Sequence, residues 1–212
     1  MGDETILDSH YLYRGRIVNL RLDRITLPAG GAAGPGGSGM TAKSLEATGG
    51  LGTKERSYVR EVVEHGEVVA MVALDSEGRV LLVLQERVPA GKELLEIPAG
   101  GIDPGEGPRE AAERELREET GFRPRRLESL GGFFTSPGFC TEYVHLFLAT
   151  ELEQSALPAD ADEGIQLVAL PLAEALSLID DGRICDAKSI AGLLLVARRR
   201  APEIGRGAGP TL

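Results

Sequence analysis

Apolar residues along this chain fall into short blocks separated by turn formers, and the blocks carry two different periods. Residues 10–27, "HYLYRGRIVNLRLDRITL", interleave β-branched and aromatic residues with charges, a strand pattern. "VREVVEH" (59–65), "EVVAMVAL" (67–74) and "RVLLVLQER" (79–87) read as further strands, with "DSEG" (75–78) as the turn between the last two. "ELLEIPA" (93–99), "RLESLGGFF" (126–134) and "EYVHLFLAT" (142–150) add three more. Two later segments follow a helical period. "PLAEALSLIDDG" opens on proline and closes on glycine, and "DAKSIAGLLLVARRR" ends in arginines that suit a helix C-terminus. Strands mixed with a few helices predict a mixed α/β or an α+β sandwich, and no internal repeat is visible.

One block fits neither pattern. "PAGGIDPGEGPREAAERELREETGF" (98–122) crowds glutamates behind a Gly/Pro turn. A solvated helix laced with ion pairs, such as Glu110 with Arg114, is the ordinary explanation of such a segment. Spacing argues otherwise. Glu115, Glu118 and Glu119 lie at i, i+3 and i+4 and therefore share a face, where like charges repel. A hard cation would neutralise them, and carboxylate oxygens suit Mg²⁺ or Mn²⁺. Ala111, Ala112, Leu116 and Phe122 supply the apolar contacts, and Gly100-Gly101 permits close approach of the backbone.

Composition narrows the function. The 212 residues carry a formal charge of −10, which argues against nonspecific nucleic-acid binding. A small phosphorylated substrate remains compatible, because a bound cation can separate the two negative charges. "VVAMVAL" (68–74) and "IAGLLLVA" (190–197) are far short of the ~20 residues that span a bilayer, so no membrane partner is expected. The polar, acidic start "MGDETILDSH" is unlike a secretory signal, and Gly2 is a poor lipidation site. Cys140 and Cys185 lack metal or redox spacing and read as free thiols in a reducing cytoplasm. His10, His65 and His145 are scattered, as structural or surface residues are. "AGGAAGPGGSG" (29–39) reads as part of a flexible loop. As a phosphate cradle it lacks the Lys-Ser/Thr ending.

The full spacing is more specific than the charge. Gly100, five residues, Glu106, seven residues, then Arg114-Glu115-Leu116-Arg117-Glu118-Glu119-Thr120-Gly121-Phe122 resembles the Nudix box at every fixed position. Pro137 follows Gly121 by sixteen residues in "FFTSPGFCTEYVHLFLA", similar to the proline marker of the ADP-ribose pyrophosphatase subgroup. "LYRG" (12–15), "VREVVEHG" (59–66), "LQER" (84–87) and "LLEIPAG" (94–100) also resemble that subgroup, and the likeness covers most of residues 11–196. Two features depart from it. One is the Gly-rich insertion after residue 28; the other is Arg16, where some relatives carry an adenine-stacking aromatic.

The resemblance implies an α/β/α Nudix sandwich with N-terminal antiparallel strands used in dimerisation. The expected division is 1–57 for the N-terminal strands and Gly-rich insertion, 58–200 for the Nudix domain and 201–212 for a tail. It implies Glu115 and Glu119 as principal Mg²⁺ ligands beside the Ala99 carbonyl, with Glu118 joining for further ions. Gly100, Glu106, Arg114 and Gly121 hold loop and helix in register. Arg87 resembles a diphosphate contact, Arg60 a substrate contact, and Glu96 and Pro137 line the substrate or support the site. The implied reaction is hydrolysis of ADP-ribose to AMP and ribose 5-phosphate by a cytoplasmic homodimer. Box glutamates already on a metal are poor bases, so the base should come from a loop outside the box. Glu142 in "SPGFCTEY" and Glu163 in "DADEGI" are the two candidates, and the marker proline favours Glu142. Three alternatives remain: a Nudix enzyme for another nucleotide sugar or dinucleotide, one that removes nucleoside triphosphates, and a noncatalytic nucleotide sensor of the same fold.

Overall fold

The computed structural model describes residues 5–26, 57–158 and 164–200. Nearly all of the Gly-rich insertion, Glu163 and the tail expected over 201–212 lie outside the described residues. The chain divides into two compact units, one of residues 1–66 with 136–142 and the other of residues 67–135 with 143–212.

The first unit is a three-stranded antiparallel sheet in the order β1-β2-β3, from Ile6–Arg14, Val18–Thr26 and Ser57–His65. Pairing of β2 with β3 runs unbroken from Val18 opposite His65 to Thr26 opposite Ser57. The compact unit accordingly runs through Gly66 and includes β3. Charged residues knit the face together: buried Asp23 accepts bonds from Ser9 Oγ at 2.7 Å and Arg21 Nε at 2.9 Å. Residues 136–142 join this sheet through Val63, whose N–H donates to the Phe139 carbonyl at 2.8 Å. Its carbonyl accepts from the Thr141 N–H at 3.0 Å.

The second unit is built on a seven-stranded mixed sheet. Its main path is β10-β5-β4-β9-β8, from Gln166–Pro171, Arg79–Arg87, Val68–Leu74, Tyr143–Gln154 and Phe122–Phe134. Lys92–Glu96 (β6) pairs with β5, and Ala99–Gly101 (β7) pairs with β4. Strands β4 and β9 run parallel, and the other pairs are antiparallel.

Central β4 explains the architecture. Ala70, Val72 and Leu74 point into one apolar core, while Val69, Met71 and Ala73 point into the other. A strand buried on both faces must be apolar at every position, which is why "VVAMVAL" shows no alternation. Helices α2 (Leu172–Asp180) and α3 (Ala187–Arg200) supply Ala175, Leu178, Leu193 and Val196 to the first core. Helix α1 (Pro108–Thr120) covers the second through Ala111, Ala112 and Leu116. Gly192 lets α3 approach the sheet closely: a Cβ there would fall 2.9 Å from Val72 and 3.1 Å from Ile97.

Helix α1 starts with Pro108 at its first turn and stops at Gly121, whose φ of 78° only glycine adopts without strain. Crowded like charges on its outer face cost ~0.2–0.5 kcal/mol per pair. Burying Leu116 alone is worth ~1.5–3 kcal/mol, so packing fixes the helix despite its charge.

Candidate active site

The loop entering α1 is pinned one residue at a time. Glu96 pairs with Val83 on β5. The Ile97 N–H donates to Ser189 Oγ at 2.9 Å, and the Pro98 carbonyl accepts from the Met71 N–H at 2.9 Å. The Ala99 N–H donates to Glu119 Oε2 at 3.0 Å. Strand β7 then sets Ala99, Gly100 and Gly101 opposite Ala70, Val69 and Val68. Six consecutive residues, 96–101, thus have fixed partners, so the loop carbonyls stand at defined positions beside the helix.

Against this loop lie the box carboxylates. A Cβ added to Gly100 would fall 2.1 Å from Glu115 Cδ and 2.3 Å from each of its oxygens. The Glu115 carboxylate therefore occupies the space that glycine leaves empty. Glu119 reaches the adjacent residue, Ala99.

Arg114 organises the rest. Its Nε and Nη2 grip Glu106 as a fork at 3.0 and 2.9 Å, and Nη2 also donates to the Gly101 carbonyl at 2.8 Å. Its Nη1 donates to Glu115 Oε1 at 2.6 Å and Glu118 Oε2 at 3.0 Å. The bonds to Glu106 dominate in raising the Arg114 pKa far above its ordinary value, against the opposing effect of burial. The same bonds hold the Glu106 carboxyl below the usual range, helped by the Asp103 N–H. The i,i+4 pair of Glu110 with Arg114 does not form, because the guanidinium turns back to the loop instead. Among the described residues, no three acidic, histidine or cysteine side chains converge as a metal-ligating cluster. Glu115 and Glu118 are instead drawn onto Arg114.

Beside the loop is a second polar group. Glu96 is 2% exposed, yet its carboxyl is held below the usual range. Burial opposes ionisation there, and the bonds from Arg87 and Lys188 outweigh it. Arg87 Nε and Nη2 meet its two oxygens at 3.1 and 2.8 Å, and Lys188 Nζ donates to Oε2 at 2.5 Å. Lys188 also donates to Asp186 Oδ1 at 2.9 Å, which accepts the Ser189 N–H as well. Sequence reasoning missed Lys188, Asp186 and Ser189, the start of α3. Their signal was "DAKS", three polar-capable residues just where the helix should turn toward a core.

The other residues expected from the sequence, Arg60, Pro137 and Glu142, belong to the N-terminal sheet unit. Arg60 is an exposed residue of half-buried β3, with its guanidinium 5.1 Å over the Tyr58 ring. Pro137 sits in the Ser136–Cys140 turn, closed by the Cys140 N–H on the Ser136 carbonyl at 2.8 Å. Glu142 Oε1 lies 3.4 Å from His65 Nδ1.

An α/β/α sandwich carrying a rigid loop and a carboxylate-rich helix defines the class: a fold suited to presenting hard oxygen ligands beside ordered backbone. The family model described as the NUDIX domain matches residues 64–193, and one described as the nucleoside diphosphate sugar hydrolase N-terminal domain matches residues 4–35. The chain belongs to the Nudix family.

Its relatives include the methanol dehydrogenase activator of Bacillus methanolicus, 36% identical over 89% of both chains. The ADP-ribose pyrophosphatase of Bacillus subtilis (strain 168) is 32% identical over 88% of this chain and 89% of its own. That of Mycobacterium tuberculosis is 34% identical over 92% and 83%. A crystal structure of an ADP compounds hydrolase superposes with a TM-score of 0.73 at 24% identity, covering 92% of this chain and 93% of that one. At that identity it supports the fold alone.

Proposed function

We propose that this chain hydrolyses the diphosphate of ADP-ribose to AMP and ribose 5-phosphate with the help of Mg²⁺, for which Mn²⁺ can substitute. The observation that carries the proposal is the placement of Glu115 and Glu119 against Gly100 and Ala99. Relatives of nearly the same extent bear the ADP-ribose name. The donors fit such a cation: they are hard carboxylate oxygens at a backbone gap that only a residue without Cβ leaves open. Glu115, Glu119 and the Ala99 carbonyl would hold it, with Glu118 for further ions. When bound, a divalent cation offsets phosphate charge and makes hydroxide available near neutral pH.

The chain's own residues do the rest. Arg114 holds Glu106, Glu115 and Glu118 to the loop, so the carboxylates are already oriented before substrate arrives. Arg87 and Arg60 bind the substrate, the former as a planar guanidinium whose orientation is set by Glu96. Glu142 is the favoured base, with Glu163 as its competitor. Two copies associate through the N-terminal strands. Support comes from edge strand β1 and the turn after it, which expose Ile6, Leu12, Tyr13 and Ile17. The free thiols of Cys140 and Cys185 suit a cytoplasmic setting. Among the described residues, no helix is long and apolar enough to cross a membrane.

A second reading keeps the chemistry and changes the group attached to the diphosphate, since the box residues are assigned to the cation and to none of that group's atoms. One experiment separates them: purified protein with Mg²⁺ is offered ADP-ribose, other nucleotide sugars, dinucleotides and nucleoside triphosphates, and products are resolved by chromatography. ADP-ribose should have the highest kcat/KM, and EDTA should abolish turnover. A higher value for a triphosphate would refute the proposal, and binding without turnover of any compound would make the chain a sensor.

A further inference from the structure

We infer that Lys188 is a positioning residue for Arg87, acting through the buried carboxylate of Glu96. The inference rests on the proposed contact of Arg87 with the diphosphate. Arg87 and Lys188 meet on one atom: Glu96 Oε2 accepts from Arg87 Nη2 at 2.8 Å and from Lys188 Nζ at 2.5 Å. Glu96 is 2% exposed and Lys188 17%, whereas the Arg87 side chain is 38% exposed. The carboxylate is thus clamped from the protein side by Lys188 and presents both oxygens to the fork of an accessible guanidinium.

Lys188 cannot wander, because Asp186 Oδ1 holds its ammonium at 2.9 Å while accepting the Ser189 N–H at 3.1 Å. Ser189 in turn receives the Ile97 N–H. The first turn of α3 therefore fixes both the strand that carries Glu96 and the cation that orients it. An arginine recognises phosphate through the direction of its donors as much as through its charge. Without Lys188 a buried carboxylate keeps a single cationic partner, and its rotamer is no longer set from the interior side. Arg87 would then follow a carboxylate of variable position. The loss should appear in substrate capture rather than in turnover.

The test combines a double-mutant cycle with a spectroscopic readout on the full chain. With ADP-ribose and saturating Mg²⁺, Lys188→Met should raise KM about 10-fold with kcat nearly kept, within the coupling range of residues sharing one network. Lys188→Arg should restore most of it. In an Arg87→Ala background the same Lys188 change should have little further effect. The Nε–H resonance of Arg87 in ¹⁵N-labelled protein, assigned with Arg87→Lys, should shift or broaden in Lys188→Met and stay in place in Lys188→Arg. An unmoved resonance, or a KM rise undiminished in the Arg87→Ala background, overturns the inference. Should Arg87→Ala leave KM unchanged while the resonance moves, the positioning is upheld and the diphosphate role of Arg87 is what fails. If Lys188→Met does not fold, Lys188→Gln, which keeps a donor and loses the charge, takes its place in the cycle, and the same results uphold or overturn the inference.

Discussion

Replacing Gly100 with alanine should separate activity from stability. A Cβ there would fall 2.1 Å from Glu115 Cδ, and ordinary contact begins at 3.4 Å, so the carboxylate must retreat by about 1.3 Å (3.4 less 2.1). The retreat also stretches the Arg114–Glu115 bond of 2.6 Å. The nearest atoms are all at the end of the flexible Glu115 side chain, and Gly100 does not adopt the left-handed region. The fold should lose little, about 1 kcal/mol, because the displaced atoms end a flexible side chain and the cost is about one hydrogen bond. Catalysis should lose much, since displacement of a catalytic group by about 1 Å can cost 10²-fold. The assay is kcat/KM for ADP-ribose across a Mg²⁺ titration, with thermal unfolding on the same preparation. The expected result is a loss of about 10²-fold with a nearly unchanged Tm. Near-normal activity would show that the location of Glu115 against the loop backbone is immaterial, and with it the proposed ligand set.

Gly192→Val should be the opposite case, costing stability before activity. Its side chain would press on Val72, Ile97 and Leu146 in the core, an overpacking worth ~1–3 kcal/mol, read as a lower Tm. Glu106→Gln should be pH-dependent. The Glu106 pKa is lowered in the folded chain from its usual 4.5, so its contribution is present above about 4.5 and is lost as pH falls through the lower folded value. The stability gap between the native chain and the variant should therefore shrink in acid, and a gap constant from pH 7 downward would count against the Arg114 fork. Of Glu142→Gln and Glu163→Gln, the first should lower kcat by ~10²–10⁴-fold with KM largely kept. Loss confined to Glu163→Gln would reassign the base.

The box and the central strands were legible because each rests on a strict spacing: fixed carboxylate positions for one, uninterrupted apolar residues for β4. What was missed has local causes. The segment "ELLEIPA" splits into β6 and β7 because Pro98 has no N–H to donate and bonds only through its carbonyl. Strand β8 extends back through Pro124 to Phe122, which a proline tolerates at the sheet edge where β8 lies. Strand β10, "QLVALP", was hidden by running straight into α2 without a turn. The Glu96 group escaped because its partners, Arg87 and Lys188, are far apart in sequence. Periodicity records which face a residue occupies, but not which distant charge it meets.

Residues 136–142 belong to the N-terminal sheet unit, although the strands on either side of them belong to the other. That unit is therefore discontinuous as a piece of genetic information. A gene fragment beginning at residue 67 would encode the whole carboxylate box and also the Pro137 turn, but would omit Val63, which both the Phe139 carbonyl and the Thr141 N–H need. Exchange of N-terminal segments between related genes would for the same reason mismatch a loop with the strand that shapes it. The two segments have to be kept as a matched pair for both Val63 bonds to form, however the sequence between them is altered.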